Sequence, residues 1–224
     1  MIISTDTIEV LKNFSSINNT IHIKPGSRLS TCMGEGNVAA ADVPDVFEET
    51  IAIYDLAQFL NVISMFKEPT LSVSNGKQAT LREGSATVRY TLAEPSLIPK
   101  APTRVIETEA VAEFNLTNEM FQKLLKASGA MGLEDIIIKG DDGKLIMQAI
   151  NFKSPSSNSF DLRVGDTDHE FVARVRRENI KILAGSYKAT LTKRLLKLDA
   201  DCSKSNLANL TYWHALEQDS KFYG

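Results

Sequence analysis

Four stretches of the chain place apolar residues at helical spacing. Between about 6 and 18, Ile8, Val10, Leu11, Phe14 and Ile17 fall on one arc of a helical wheel. Glu9, Lys12, Asn13 and Ser16 fall on the other. Thr5 or Asp6 is the expected cap, and Glu9 sits early, where the helix dipole favours an acid. A second helix is predicted from Asp55, its cap, to Phe66, with Leu56, Phe59, Leu60, Ile63 and Phe66 as its stripe and a small, neutral opposite face. A third runs from the cap Thr117 to about Ala130, with Met120, Phe121, Leu124, Leu125, Ala127 and Met131 inward and Glu119, Gln122, Lys123 and Lys126 outward. A short fourth helix is expected from Arg176 to Leu183, with Ile180 and Leu183 facing the core.

Elsewhere the pattern is that of strands: 20–23, 49–54, 70–74, 86–92, 135–139, 144–150, 160–164, 171–175, 186–191 and 207–216 are rich in β-formers. Pro25-Gly26, Asn75-Gly76 and Asp141-Asp142-Gly143 supply turn chemistry between several of them. The expected class is α+β: two similar domains, each with antiparallel sheets and two helices. Pro95, Pro99 and Pro102 exclude a central strand or helix interior near the middle of the chain. The segment 94–110 therefore reads as a linker between domains 1–93 and 111–224. Each half opens with an amphipathic helix bearing an outward lysine (Lys12, Lys123) and later runs a strand into a second helix. The offset is about 110–120 residues, as in an internal duplication.

Composition excludes more than it assigns. The 224 residues are 43% hydrophobic and 24% charged, enough for a real core. Cys32 and Cys202 lie far apart with no ligand-spaced neighbour, and His22, His169 and His214 are scattered, so neither metal nor cofactor is expected. No phosphate-binding loop, nucleophile elbow or zinc-protease motif occurs, and the chain reads as a non-enzyme. Gly34-x-Gly36-x-x-Ala39 fits the dinucleotide fingerprint, but Pro44 cuts short any helix after it, and a hairpin turn is the better reading. The N-terminus has no signal-peptide pattern, and apolar runs are too short for a membrane span. A soluble protein in a reducing cytoplasm is expected.

The net charge of −3 argues against a nucleic-acid binder until the charges are sorted. The four helices with Lys67 hold seven basic residues and five acidic ones. The remainder, with 18 basic against 23 acidic, carries −5. Helices lining one surface would offer phosphates a weak, mostly lysine field, suited to sliding contact and not to base readout.

At this point the sequence resembles a family. Leu11-Lys-Asn-Phe-Ser-Ser-Ile-Asn18, Ala52-Ile-Tyr-Asp-Leu-Ala-Gln-Phe-Leu-Asn-Val-Ile-Ser64, Leu116-Thr through Leu125-Lys, Gly185-Ser-Tyr-Lys188 and the Tyr212–Ser220 tail with Ala215-Leu-Glu217 look like motifs of DNA polymerase sliding clamps of T-even-like phages. Such clamps are similar in fold to proliferating cell nuclear antigen. The resemblance implies a homotrimeric ring around duplex DNA, closed by a loader ATPase in the cytoplasm of an infected bacterium. It also implies a hydrophobic pocket that takes the C-terminal peptide of the replicative polymerase. Carried over, the DNA-facing residues are Lys12, Lys123, Lys126, Arg177 and Lys181, and the pocket draws on Met33, Val38, Leu97, Ile98 and Trp213. Subunits would join by pairing 86–92 with 160–164 of the next chain. The alternative from another class is a structural ring or tube component of phage assembly.

Overall fold

The computed structural model describes residues 1–34, 36–103, 105, 106, 108–154, 156 and 158–223. The chain divides into two compact units, residues 1–103 with 202–211 and residues 104–201 with 212–224.

The first unit opens with α1 (Thr5–Ile17), followed by β1 (Ile21–Ile23), β2 (Gly26–Met33), β3 (Asn37–Phe47), β4 (Ile51–Ile53), α2 (Leu56–Ile63), β5 (Thr70–Ser74), β6 (Gln78–Glu83) and β7 (Ala86–Thr91). The helix stripes behave as the periodicity predicts: Val10, Leu11 and Phe14 of α1 and Leu56, Phe59, Leu60 and Ile63 of α2 are all buried. The α1 cap is Ser4, whose hydroxyl accepts the Thr7 N–H at 3.3 Å. Asp55 caps α2 as expected, accepting the Gln58 N–H at 2.8 Å. Strands β1 and β4 pair antiparallel, as do β5, β6 and β7 in that order.

Strands β2 and β3 were not legible from β-formers. Their hairpin buries Leu29 with Ala39, Ala40 and Ala41, and alanine carries little strand signal. Gly34 has φ +60, and Cys32↔Val38 and Met33↔Asn37 pair the strands on either side, so the dinucleotide-like glycines fall in a hairpin connection; Glu35 lies outside the described residues. Pro44 is exposed within β3, in the stretch where the register with β2 shifts, the position in a ladder that tolerates proline. After β7 the chain makes a 3-10 turn, Pro95–Leu97.

The second unit contains β8 (Ala110–Leu116), α3 (Asn118–Met131), β9 (Asp135–Asp141), β10 (Lys144–Ile150), β11 (Ser159–Asp166), β12 (Glu170–Arg176), β13 (Tyr187–Thr192), β14 (Leu195–Ala200), most of β15 (Asn209–Ala215) and β16 (Lys221–Tyr223). Five antiparallel strands run in the order β11-β10-β9-β12-β16, and β14-β13-β8 follow one another in a second sheet. Central β9 buries Ile136, Ile137 and Ile138 on both faces. Thr117 caps α3, accepting the Met120 N–H at 3.2 Å, and Gly132 ends it in the left-handed region at φ +63.

The expected helix over 176–183 is not formed. Strand β12 extends through Arg176, and a single 3-10 turn, Arg177–Asn179, follows, closed by Ile180 N–H to the Arg177 carbonyl at 3.0 Å. Of the three apolar residues in these eight only Ile180 is buried, too little to offset helix nucleation. Among the described residues the second half thus keeps the α+β pattern with one α-helix instead of two.

A buried cation ties the tail of this unit to its sheet. Arg174 on β12, its side chain 9% exposed, holds Asp135 at 2.7 Å and grips both oxygens of Asp219 at 2.9 and 2.8 Å. The Phe152 ring lies 5.1 Å from its guanidinium carbon. The Arg174 backbone donates to Ser220 Oγ and accepts from Glu217 N–H, and β16 then pairs with β12. The bond to Arg174 holds the Asp219 carboxyl below the usual range.

Two outcomes follow. A β-carbon at Gly140 would lie 2.0 Å from the His169 carbonyl oxygen, so Gly140→Ala is expected to destabilise the protein by at least about 2 kcal/mol in urea titrations. His214, 3% exposed and stacked on Tyr212, has its pKa pushed down by burial to about 4 from the ordinary 6.5. Between those values the unfolded chain takes up a proton that the folded one refuses. Stability is therefore full above pH 6.5 and falls by about 3 kcal/mol as the pH drops towards 4. His214→Phe should flatten that slope.

Candidate nucleic-acid interface

The burial of each helix stripe decides which charges reach solvent. With Val10, Leu11 and Phe14 inward, α1 presents Glu9, Lys12 and Ser16. Helix α2 presents Ala57, Gln58, Asn61 and Ser64, a surface without charge. The two helices are joined at one residue. The Asn19 carbonyl accepts the Leu56 N–H at 2.8 Å, its side-chain oxygen accepts the Ala57 N–H at 2.8 Å and the Ser15 hydroxyl at 3.2 Å, and its amide donates to Asp55 Oδ1 at 3.0 Å. Asp55, bonded also to the Gln58 N–H, is held below the usual carboxylate pKa. The end of α1 thus serves as part of the cap of α2. No periodicity signals such a residue; the only sequence hint is an asparagine just past a helix end.

On α3, Lys123 and Lys126 are exposed. Lys123 reaches Glu119 one turn back at 2.7 Å, and this bond lowers the Glu119 pKa. Part of its charge is therefore answered within the helix. Arg177 is exposed, and its Nη1 lies 3.7 Å from where a Gly129 β-carbon would stand. Gly129 is three residues beyond Lys126, so Arg177 reaches the C-terminal turn of the face that carries Lys126, where the helix dipole favours a cation. Lys181 is half-buried and already engaged in contacts. The structure thus brings Arg177 against the C-terminal turn of the helix that carries Lys126, leaves Lys123 on the same helix partly neutralised, and puts Lys12 in the other unit.

The residues expected of the peptide pocket differ in exposure. Met33 and Val38 share the turn end of the β2–β3 hairpin, both half-buried. Leu97 is 68% exposed while its neighbour Ile98 is 3% exposed, so Ile98 is core and Leu97 is the side chain open to a partner. Trp213 lies half-buried on β15 in the second unit. Among the described residues no three His, Cys, Asp or Glu side chains are grouped to hold a metal, and no helix is long and apolar enough to cross a membrane.

The two α+β units with antiparallel sheets are shared with solved DNA clamps, and the likeness places the chain in that class of fold. The chain superposes on A. fulgidus PCNA, solved with the C-terminal region of FEN-1, with a TM-score of 0.72, covering 98% of each chain at 17% identity. It also matches the DNA polymerase III beta subunit of Pseudomonas aeruginosa with a TM-score of 0.66, covering 97% of this chain and 63% of that one at 13% identity. At the level of sequence, residues 4–98 match the model for DNA polymerase processivity factors, and residues 113–217 match that for the C-terminal part of the gp45 sliding clamp. The sliding clamp of Enterobacteria phage T4 is 30% identical, over 98% of both chains. That of Vibrio phage KVP40 is 31% identical, over 85% of this chain and 90% of its own. The chain belongs to the sliding-clamp family of DNA polymerase processivity factors. These matches decide between the two classes left open by the sequence, and they give the phage-assembly reading no support.

The junction at Asn19 can be tested alone. Asn19→Ala removes the bonds to Ala57, Ser15 and Asp55 together and is expected to cost about 1–3 kcal/mol in urea titrations. Asn19→Asp keeps the acceptor but sets a second carboxylate against Asp55, so it should recover little of the loss.

Proposed function

We propose that this sliding clamp acts as a homotrimeric ring that a loader ATPase closes around duplex DNA in the cytoplasm of an infected bacterium. There it tethers the replicative polymerase and performs no chemistry of its own. The observation that carries this reading is the combination of a free edge strand in each unit with family membership of both halves. Strand β7 ends the sheet β5-β6-β7, and β11 ends the sheet that contains β9 and β10. Val88 and Tyr90 on β7 and Phe160, Leu162 and Val164 on β11 are only half-buried. Pairing β7 of one copy with β11 of the next would cover these positions and remove both exposed edges.

Lys12, Lys123, Lys126, Arg177 and Lys181 would then face the duplex. On a chain of net charge −3 they offer phosphates a weak attraction, which suits sliding, since strong contacts would stall it. The tether would enter a pocket drawing on Met33, Val38, Leu97, Ile98 and Trp213. Related folds support a peptide-binding role, since the A. fulgidus clamp was solved with the C-terminal region of FEN-1 and the Helicobacter pylori beta clamp with a DNA ligase peptide.

Sedimentation equilibrium over a wide concentration range should show monomer and trimer. Leu162→Glu should shift that balance strongly to monomer. The protein loaded on circular or end-blocked DNA should be retained, and it should leave linear DNA through its ends. A strict monomer or an open-ended polymer at all concentrations would remove the ring. Lys126→Glu with Arg177→Glu should leave the trimer intact while lowering loading and retention at moderate salt by about tenfold or more.

A further inference from the structure

The second unit contains a cleft of about 420 Å³, within the range of ligand pockets. It shares no residue with the polymerase-peptide pocket or the DNA-facing set. One wall is the start of β8, Thr108 to Val111, with the turn residues Lys193 and Arg194 beside it, where Thr192 pairs with Ala110. The other wall is His169 and Glu170 at the start of β12, with Phe222 and Tyr223 of β16.

We propose that this cleft binds an extended peptide segment that carries one acidic and one basic side chain. Three observations carry the proposal. First, β8 is the last strand of its sheet and β16 the last of the other, so the cleft lies beside two strand edges, and an added strand is the ligand that such edges accept. Secondly, the lining holds two cations, Lys193 and Arg194, and two carboxylates, Glu109 and Glu170. None of the four side chains takes part in an ion pair among the described residues. Opposite charges held apart around one cleft favour a ligand that answers both signs and fix its direction. Thirdly, the wall is closely packed. Phe222 stacks on Phe171 at 5.8 Å, and the His169 carbonyl is packed so closely on Gly140 that no β-carbon fits between them. Tyr223, 57% exposed, adds an apolar face for the residue between the two charges.

The test uses the full-length protein, isotope-labelled, titrated with two blocked pentapeptides, Thr-Asp-Val-Lys-Thr and its charge-swapped order Thr-Lys-Val-Asp-Thr. The neutral Thr-Asn-Val-Gln-Thr serves as control. One charged order should shift the amide signals of Val111, Arg194 and Tyr223 saturably, and bind at least tenfold more tightly than the other order and the control. The exposed-turn double variant Lys193→Glu with Arg194→Glu should lose that preference while keeping its trimer and its retention on closed DNA. The proposal is overturned if no charged peptide moves these signals at millimolar concentration. It is equally overturned if the double variant binds as well as the parent, or if the shifts fall on Met33, Val38 and Leu97 instead.

Discussion

The constraint on which the rest depends is that each amphipathic helix must turn its stripe onto its own unit's core. Phe14 and Val10 are fully buried, and Leu124 likewise. Once those side chains are inward, the rotation of α1 and α3 about their axes is fixed, and with it the direction of every charge they carry. Lys12, Lys123 and Lys126 reach solvent because hydrophobic burial, worth roughly 1.5–3 kcal/mol for each large side chain, leaves them no other side. The outward direction of these lysines is thus a by-product of core packing, although the three helices together carry as many acids as bases.

The second unit adds a device of a different kind. Arg174 is taken out of water and surrounded by Asp135, Asp219 and Glu217, with Phe152 beneath. Such a cluster adds little net stability, because desolvation offsets most of the attraction, yet losing one partner leaves a buried charge unanswered. Its effect is specificity. It fixes where residues 217–223 lie, and so seals the outer edge of β12 with the chain's own β16. The same tail places Phe222 and Tyr223 on the wall of the charged cleft. In the first unit Asn19 does comparable work by making the end of one helix part of the start of the next.

The family relation gives these details a setting. A ring that holds DNA by enclosure, as proposed for this chain, needs weak, well-directed charge and covered sheet edges more than strong contacts. The features that distinguish this chain are the places where one residue serves several bonds at once: Asn19, Arg174 and Gly140.

By itself the sequence determined the α+β class, the three true helices, two of their caps and the outward lysines. Periodicity reports directly on which side of an element is buried. It placed the strands richest in β-formers and missed β2, β3, β6, β8, β14 and β16, among them the alanine-rich β3, whose burial leaves no such mark. The helix expected at 176–183 failed because propensity there was too weak to stand against the extension of β12. The tertiary structure alone decided that Arg177 reaches the C-terminal turn of the helix that carries Lys126, that Ile98 is core while Leu97 is open, and that four charges with no ion pair among the described residues ring one cleft. Each of these depends on distances between residues remote in sequence or on the choice of one rotamer among several. No local pattern encodes such distances, because they exist only after the units have closed.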